Sequence, residues 1–255
     1  MDKIDLLINL EDVNFSFPGG DPVIQAVSFK LYRGEKIGLI GPNGSGKTSL
    51  FHLIMGLLKP QSGRIEIFGK EIETEKDFKV VRQKIGLLFQ DPDDQLFSPT
   101  VLEDVAFGPL NLGKSIPEAK TIALETLDSL GLSGFENRVT YKLSGGEKRL
   151  VSFATVLAME PDVLLLDEPT TGLDLETTNK MVEILKQLDM AYVLISHNMD
   201  FIEQTTDKLC GMIDGRIVSE EETFLHTHVH AHGFGKLSHS HSHAEDVGHG
   251  SEKKG

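Results

Sequence analysis

The chain has 255 residues, a formal net charge of −14 and one cysteine. This length can bury a large core in one or two domains, and the acidic excess argues against non-specific nucleic-acid binding, which depends on clustered Lys and Arg. The single Cys210, the lack of a leader-like opening segment and apolar runs far short of the roughly 18 residues of a membrane span favour a cytosolic protein that reaches a membrane only through partners.

The start of the chain is predicted to form two antiparallel strands. Val13, Phe15 and Phe17 alternate with polar residues, a break rich in Pro and Gly follows at 18–22, and the alternation resumes over 23–31. The Phe17 ring precedes the turn, where it could stack on an adenine base, although the same alternation would also bury it in the core. The pattern leaves both interpretations open.

A strand-like apolar run at 37–40 leads into GPNGSGKT at 41–48, and a helix-like run follows. Strand, glycine-rich loop and helix in this order predict a phosphate-binding loop rather than an ordinary turn, because glycine lets backbone N–H groups turn inward around an anion at the positive end of the helix. We expect Lys47 to reach the β and γ phosphates of a nucleoside triphosphate and the Thr48 hydroxyl to bind Mg²⁺. The residues predicted to bind the nucleotide here are Gly41, Pro42, Asn43, Gly44, Ser45, Gly46, Lys47, Thr48 and Ser49.

The composition changes after a strand predicted over 84–89, which ends at Gln90. An acidic, turn-prone segment occupies 91–95, and the pattern is then helical to about residue 160. Two capping boxes support helix starts in this region. They lie at Thr100 with Glu103 and at Ser115 with Glu118. We therefore predict a helical subdomain over roughly 95–160, inserted into an α/β core.

Residues 143–147 read LSGGE and are predicted to begin a helix. Ser144 and Glu147 form a capping box, which places two flexible glycines, Gly145 and Gly146, at an exposed helix N-terminus. Taken alone, the motif is only a helix cap. A helix start softened by glycine is also a site that binds phosphate, so the function of this segment depends on its context.

An apolar run at 163–166, bounded by Pro161 and Pro169, predicts a central parallel strand buried on both faces. Asp167 and Glu168 follow at its carboxyl end, where α/β sheets bind ligands. Two adjacent carboxylates are costly there unless a cation or a reaction uses them; the alternative is a solvated strand end. We assign Asp167 to support Mg²⁺ and Glu168 to orient and deprotonate a water molecule.

A further strand is predicted at 191–195 and is followed by His197. A lone histidine is usually an ordinary surface or core residue. His197 differs by position, because its strand is expected to lie beside the strand that carries Glu168. We therefore expect His197 to reach the γ-phosphate of the nucleotide.

Seven features match, in order and spacing, the motif set of ATP-binding cassette ATPases, which the chain resembles over about residues 8–222. They are Phe17, GPNGSGKT at 41–48, Gln90, LSGGE at 143–147, LLLDEP at 164–169, TGLD at 171–174 and His197. The segment DPDDQLFSPTVLEDVAFGPLNLG at 91–113 also resembles the energy-coupling factor ATPases of cobalt and nickel importers.

The resemblance implies an α/β fold with a P-loop NTPase core: a RecA-like mixed sheet, an N-terminal antiparallel β part and the helical subdomain, all within residues 1–225. It implies that Phe17 stacks on adenine, and that Gln90 touches Mg²⁺ and reports to a membrane subunit. Tyrosine is common at position 17 in the family. Phenylalanine there loses the hydroxyl and keeps the stacking face.

The resemblance also implies a head-to-tail dimer with two ATP molecules, each held between the phosphate loop of one subunit and the LSGGE segment of the other. Ser144, Gly145 and Gly146 would contact the γ-phosphate in trans, and Asp174 would lie across the dimer. Homodimer and heterodimer both stay open. The expected partners are integral membrane transporter subunits, which would place the protein peripherally on the cytoplasmic side of the cell membrane.

The last thirty residues, 226–255, have a different composition and are expected to form a flexible tail. Neutral imidazole binds Ni²⁺, Co²⁺, Cu²⁺ and Zn²⁺, so several weak, exchangeable metal sites are one interpretation, and inert low-complexity sequence is the other. The tail carries eight of the ten histidines: His226, His228, His230, His232, His239, His241, His243 and His249.

The leading hypothesis is therefore an ATPase subunit that drives import of a transition metal, nickel or cobalt, through membrane partners. The same ATPase could serve a vitamin or another solute. A DNA-repair or translation ATPase is disfavoured, because the stretch between Thr48 and Ser144 holds no long coiled coil and the chain has one cassette. A metal-storage protein would leave the ATP motifs unexplained.

Overall fold

The structure is a computed structural model that describes residues 6–218. The predicted metal-binding tail at 226–255 lies outside these residues. The described chain forms two sheets and seven α-helices. The strands are β1 (Leu6–Ser16), β2 (Pro22–Tyr32), β3 (Lys36–Ile40), β4 (Ser62–Ile67), β5 (Lys70–Glu71), β6 (Ile85–Leu88), β7 (Val163–Asp167), β8 (Ala191–Ile195), β9 (Lys208–Ile213) and β10 (Arg216–Val218). The helices are α1 (Lys47–Ile54), α2 (Glu75–Lys84), α3 (Val101–Asn111), α4 (Ile116–Ser129), α5 (Gly145–Leu157), α6 (Leu175–Gln187) and α7 (Met199–Thr205).

The larger sheet has the strand order β10-β9-β3-β8-β7-β6. Its five strands from β9 to β6 are parallel, and β10 pairs antiparallel with β9. The predicted central strand is confirmed as β7, which is buried along its whole length and pairs on both sides. Because β3, β8 and β7 are parallel neighbours, the loops that follow them leave from the same edge of the sheet. This edge therefore receives the phosphate loop, His197 and Glu168.

The smaller sheet has the order β2-β1-β4-β5 and is antiparallel, as predicted for its first two strands. Its buried side chains share one hydrophobic cluster with α1 and with Val163 and Leu165 of β7. Leu164 and Leu166, which point to the other face of β7, belong to a second cluster with the helices. The central strand is thus buried by different layers on its two faces.

Helices α3, α4 and α5 lie in the range predicted for the helical subdomain and pack mainly against each other. The predicted capping boxes are confirmed at Thr100, Ser115 and Ser144. Helix α2 was not predicted from the sequence; its N-terminus has a capping box formed by Thr74 and Asp77. No helix within residues 6–218 is long and apolar enough to cross a lipid bilayer. The sheets and helices together confirm the predicted α/β architecture.

Candidate active site

The phosphate loop occupies residues 41–46, between β3 and α1. Gly41 has φ 152°, and a Cβ atom there would lie 2.0 Å from the carbonyl oxygen of Met212, so only glycine allows β9 to approach this closely. Of the seven helices within residues 6–218, α1 alone has no N-cap side chain that accepts a hydrogen bond from a backbone N–H group, because its cap is Gly46. The first N–H groups of α1 are therefore open to an anion.

Lys47 lies inside the loop with 7% of its surface exposed. Its Nζ donates hydrogen bonds to the carbonyl oxygens of Gly41 at 2.8 Å and Pro42 at 2.9 Å. Burial lowers the pKa of this ammonium group, and the negative charges of Glu168 and Asp167 oppose the shift. A cation held in this way by backbone carbonyls is positioned for phosphate oxygens that enter the loop.

Thr48 connects the loop to the strand that carries the two carboxylates. Its hydroxyl donates a hydrogen bond to Asp167 Oδ2 at 2.7 Å. Burial raises the pKa of Asp167, while this hydrogen bond and the positive charge of Lys47 act in the opposite direction. The hydroxyl and the carboxylate that the sequence analysis assigned to Mg²⁺ therefore lie in direct contact.

Glu168 adopts a backbone conformation that is unusual for its residue type. Its φ is 49°, in the left-handed region, and its N–H donates to the carbonyl oxygen of Ile195 at 2.9 Å. The Thr171 hydroxyl donates to Oε2 at 3.3 Å, and His197 Nε2 lies 3.4 Å from Oε1. Burial raises the pKa of Glu168, and the nearby His197 lowers it. The structure thus brings His197 and Glu168 together, as the strand order predicted.

One cavity of about 490 Å³ is lined by Phe17 and by six of the nine residues predicted to bind the nucleotide at 41–49; Gly41, Pro42 and Ser45 are not in its lining. Phe17 lines it with 50% of its surface exposed and its ring packed edge-on against Phe15. Of the two interpretations of Phe17, core burial is therefore wrong. The cavity is lined by Phe17, Val23, Asn43, Gly44, Gly46, Lys47, Thr48, Ser49, Gln90, Asp167, Glu168, Ile195 and His197.

The LSGGE segment and Asp174 lie outside this lining. Ser144 is exposed, and its hydroxyl accepts a hydrogen bond from the N–H of Glu147 at 3.3 Å, as in an ordinary capping box. Asp174 caps α6 by accepting from the N–H of Thr177 at 2.7 Å, and this bond lowers its pKa. Within one described chain, these residues therefore act as helix caps.

Sequence reasoning missed Thr171, which touches the carboxylate of Glu168. Its position directly before Gly172 in the loop after Glu168 was the available signal, since a hydroxyl three residues from a carboxylate can close a local hydrogen bond. Val23 and Ile195 also line the cavity and were not predicted, because apolar residues of a strand carry no sign of facing a ligand.

A family model described as ABC transporter matches residues 24–171, more than half of the chain. The chain belongs to this family. It is 44% identical to the energy-coupling factor transporter ATP-binding protein EcfA of Methanothermobacter thermautotrophicus, over 84% of this chain and 70% of that protein. The EcfA of Methanocaldococcus jannaschii is 43% identical over 84% of this chain and 78% of that protein. The protein is therefore an ATPase whose cassette is of the energy-coupling factor type.

Solved structures of this ABC family share the fold. CbiO1 from Clostridium perfringens, described as part of the ABC transporter complex cbiONQ, has a TM-score of 0.75 and 35% identity, and the match covers 88% of this chain and 93% of that one. A dimeric ATP-binding cassette in a post-hydrolysis state with ADP and Pi has a TM-score of 0.77 and 28% identity, covering 84% of this chain and 97% of that one. The fold class predicted from the sequence is therefore confirmed.

Proposed function

We propose that the protein hydrolyses ATP to drive import of a transition metal ion, nickel or cobalt, through integral membrane subunits at the cytoplasmic side of the membrane. The observation that carries the ATPase part is the single cavity that collects the phosphate loop, Asp167, Glu168 and His197. The metal substrate is supported by the histidine-rich tail and by the segment at 91–113, which resembles the energy-coupling factor ATPases of cobalt and nickel importers.

The cleft accounts for ATP binding through three kinds of contact. The open N–H groups at the start of α1 and the Lys47 ammonium bind phosphate oxygens, and the exposed Phe17 ring stacks on adenine. The Thr48 hydroxyl, the Asp167 carboxylate and the Gln90 amide offer the oxygen ligands that Mg²⁺ prefers, and the 2.7 Å contact of the first two shows that they converge. Mg²⁺ held by these residues would neutralise charge on the phosphates.

Glu168 is proposed as the base that takes a proton from the attacking water. Thr171 holds one carboxylate oxygen, so the other, Oε1, remains as the acceptor, and within the described residues it accepts no hydrogen bond. Burial raises the pKa of the carboxylate toward the range in which a general base works well. His197, beside Oε1, is then placed to contact the γ-phosphate.

The exposed caps at Ser144 and Asp174 are proposed to complete the site in a second ATPase subunit. Ser144, Gly145 and Gly146 would contact the γ-phosphate bound by the partner, and Asp174 would lie along the dimer contact. Their exposure outside the cavity of their own chain supports this arrangement. One chain carries every motif for both halves, so a homodimer is sufficient.

We infer that the membrane subunits bind the segment at 91–97 and the adjacent apolar surface. Phe97 is 66% exposed and Phe107 is 46% exposed, with their rings edge to face at 4.7 Å. Exposed Asp93 and Asp94 lie on the preceding turn. An acidic rim around an apolar patch is complementary to a short helix with Arg and small apolar residues.

Replacing Asp93 and Asp94 together by Lys should prevent assembly with the membrane subunits, because the rim charge is reversed. Basal ATPase of the isolated subunit should stay within about twofold, since exposed charges contribute little to folding. Co-purification of the complex and turnover of the free subunit measure the two effects. The double variant Asp128→Lys with Glu125→Lys, on α4, is the matched charge control. Loss of assembly and of basal turnover together would indicate misfolding instead.

Deleting residues 226–255 tests the metal substrate. The truncated protein should hydrolyse ATP as the full chain does, lose most Ni²⁺ and Co²⁺ binding, and support uptake less well when external metal is scarce. Metal binding by the full chain should fall steeply below about pH 6, because imidazole must be neutral to bind a metal and becomes protonated there. Titration calorimetry with and without the tail measures this. The same metal stoichiometry in both would favour a vitamin or another solute as the substrate.

A further inference from the structure

Arg149 is a buried cation on α5 whose hydrogen-bond partners are backbone carbonyl groups. It is 2% exposed, Nη1 donates to the carbonyl oxygen of Phe89 at 2.8 Å, and Nη2 donates to that of Gln90. Within residues 6–218 its Nε has no hydrogen-bond acceptor. Burial lowers its pKa, and the charges of Asp91, Asp167 and Glu168 only oppose that shift. A buried charge without a carboxylate partner is costly, so packing alone does not explain arginine at this position.

The two acceptors of Arg149 lie on either side of one residue. The carbonyl groups of Phe89 and Gln90 flank the Cα atom of Gln90, so the planar guanidinium fixes the backbone from which the Gln90 side chain extends. Gln90 itself is exposed and lines both the nucleotide cavity and an adjoining cavity of about 460 Å³. Holding this backbone therefore determines where the Gln90 amide lies in the cleft.

A second link joins the same loop to the same helix. The N–H of Phe89 donates to Gln95 Oε1 at 3.2 Å, and Gln95 Nε2 donates to the carbonyl oxygen of Ser152 and to Thr155 Oγ1, both at 2.8 Å. The Lys148 ammonium also pairs with Asp93, whose side chain is 68% exposed, so this ion pair adds little to the two links. Residues 89–95, which we call the Gln90 loop, are thus fastened to α5 mainly through Arg149, Ser152 and Thr155. That helix begins with the LSGGE glycines.

We propose that Arg149 is a positioning residue for ATP hydrolysis, which makes the Gln90 loop move with helix α5. Gln90 then occupies its place beside Thr48 and Asp167 only when α5 lies where it does in this structure. A displacement of the LSGGE segment at the start of α5 is transmitted to the nucleotide cleft through two backbone carbonyl groups. The part that involves a second nucleotide at LSGGE rests on the proposed dimer, whereas the effect on Gln90 does not.

The test uses the isolated full-length subunit with Arg149→Met, Arg149→Lys and Arg82→Met. Methionine keeps much of the volume of arginine and removes both hydrogen bonds, while lysine retains the charge without the planar fork. Arg82 is the control, since its Nη1 donates to the carbonyl oxygen of Met55 at 3.0 Å, a backbone group at the end of α1 that is not part of the Gln90 loop. Gln95→Met is a further variant, which breaks the second link without removing a charge.

For Arg149→Met we expect kcat to fall by about tenfold to a hundredfold, since a misplacement of about 1 Å can cost that much. The KM for ATP should change by less than about twofold, because Arg149 does not touch the phosphate loop. The Mg²⁺ concentration for half-maximal activity should rise, and amide hydrogen exchange in residues 86–97 should become faster. Arg149→Lys should restore part of kcat, and Gln95→Met should show the same changes at smaller size.

Arg82→Met should lower the melting temperature and leave kcat, Mg²⁺ dependence and exchange in 86–97 as in the wild type. The proposal is overturned if Arg149→Met keeps its kcat and Mg²⁺ dependence, or if kcat per folded molecule and the Mg²⁺ dependence are unchanged, so that lost activity only follows lost folded protein. If Arg149→Met fails to fold, the same measurements on Arg149→Lys and Gln95→Met test the proposed role of Arg149. The proposed transition-metal substrate and the membrane partners are absent from this assay, so an error in the proposed substrate would not affect it.

Discussion

Two parts of the nucleotide machinery differ in how their polar groups are satisfied. In the phosphate-loop cleft, polar residues distant in sequence contact one another: the Thr48 hydroxyl donates to Asp167 at 2.7 Å, and His197 Nε2 lies 3.4 Å from Glu168 Oε1. In the LSGGE segment, the hydroxyl and the N–H of Ser144 bond to Glu147, three residues away, and the two glycines follow at the exposed start of α5.

The phosphate-loop half of the site is therefore assembled within one chain, whereas the LSGGE half is only exposed at the surface of that chain. A cleft whose loop, carboxylates and histidine meet in one cavity can bind a nucleotide alone. A capped helix N-terminus that lines no part of that cavity gains a ligand only when another molecule brings one. ATP hydrolysis should therefore require an intact cleft, and the LSGGE segment should contribute to it only when two ATPase subunits associate.

The largest effect should come from Glu168→Gln, in the phosphate-loop half. Turnover should fall by about 10²-fold to 10⁴-fold, because the amide cannot accept a proton from water. ATP binding should persist, and an ATP-bound dimer should accumulate. Hydrolysis, nucleotide binding and gel filtration with ATP measure these effects. Lys47→Ala is the contrasting variant and should weaken ATP binding itself. Wild-type turnover in the Glu168→Gln protein would contradict the assignment of the base.

A smaller effect is expected from dilution of the wild-type protein. If the LSGGE segment works only in a second copy, hydrolysis should rise faster than linearly with protein concentration while most of the protein is monomeric. Initial rates over a dilution series, with the oligomeric state measured alongside, test this. Strictly proportional activity down to the dilute monomer, or a requirement for a different ATPase chain, would argue against the homodimer.

The smallest and sharpest comparison uses two equivalent caps. Ser144→Ala and Ser115→Ala each remove a capping-box hydroxyl, from α5 and α4, and each should lower the free energy of unfolding by about 1 kcal/mol. Only Ser144→Ala should also reduce hydrolysis, because only that hydroxyl is proposed to meet a nucleotide. Denaturant unfolding and steady-state ATPase assays measure the two quantities. Equal hydrolysis in both variants would reduce LSGGE to a helix cap.

Local patterns were sufficient for much of the fold. Alternation identified the β1–β2 pair, a continuous apolar run identified β7, and capping signatures located the starts of α3, α4 and α5. Helix α2 was not predicted, because its capping box has Asp77 at the position where the usual signature has Glu or Gln. The position of Phe17 stayed ambiguous for a physical reason: alternation assigns a side to a side chain only while the strand continues, and β1 ends at Ser16.

The candidate nucleotide-binding and catalytic residues could be identified from the sequence alone. The phosphate loop, the pair Asp167 and Glu168, and LSGGE are each recognised from neighbours a few residues apart. The tertiary structure decided which of them share a cavity and which side chains support them. Parallel pairing of β3, β8 and β7 brings Lys47, Glu168 and His197 to one edge, and burial joins Arg149 to Gln90 across 59 positions of the chain. Contacts over such separations depend on the packing of whole elements, and no local pattern encodes them.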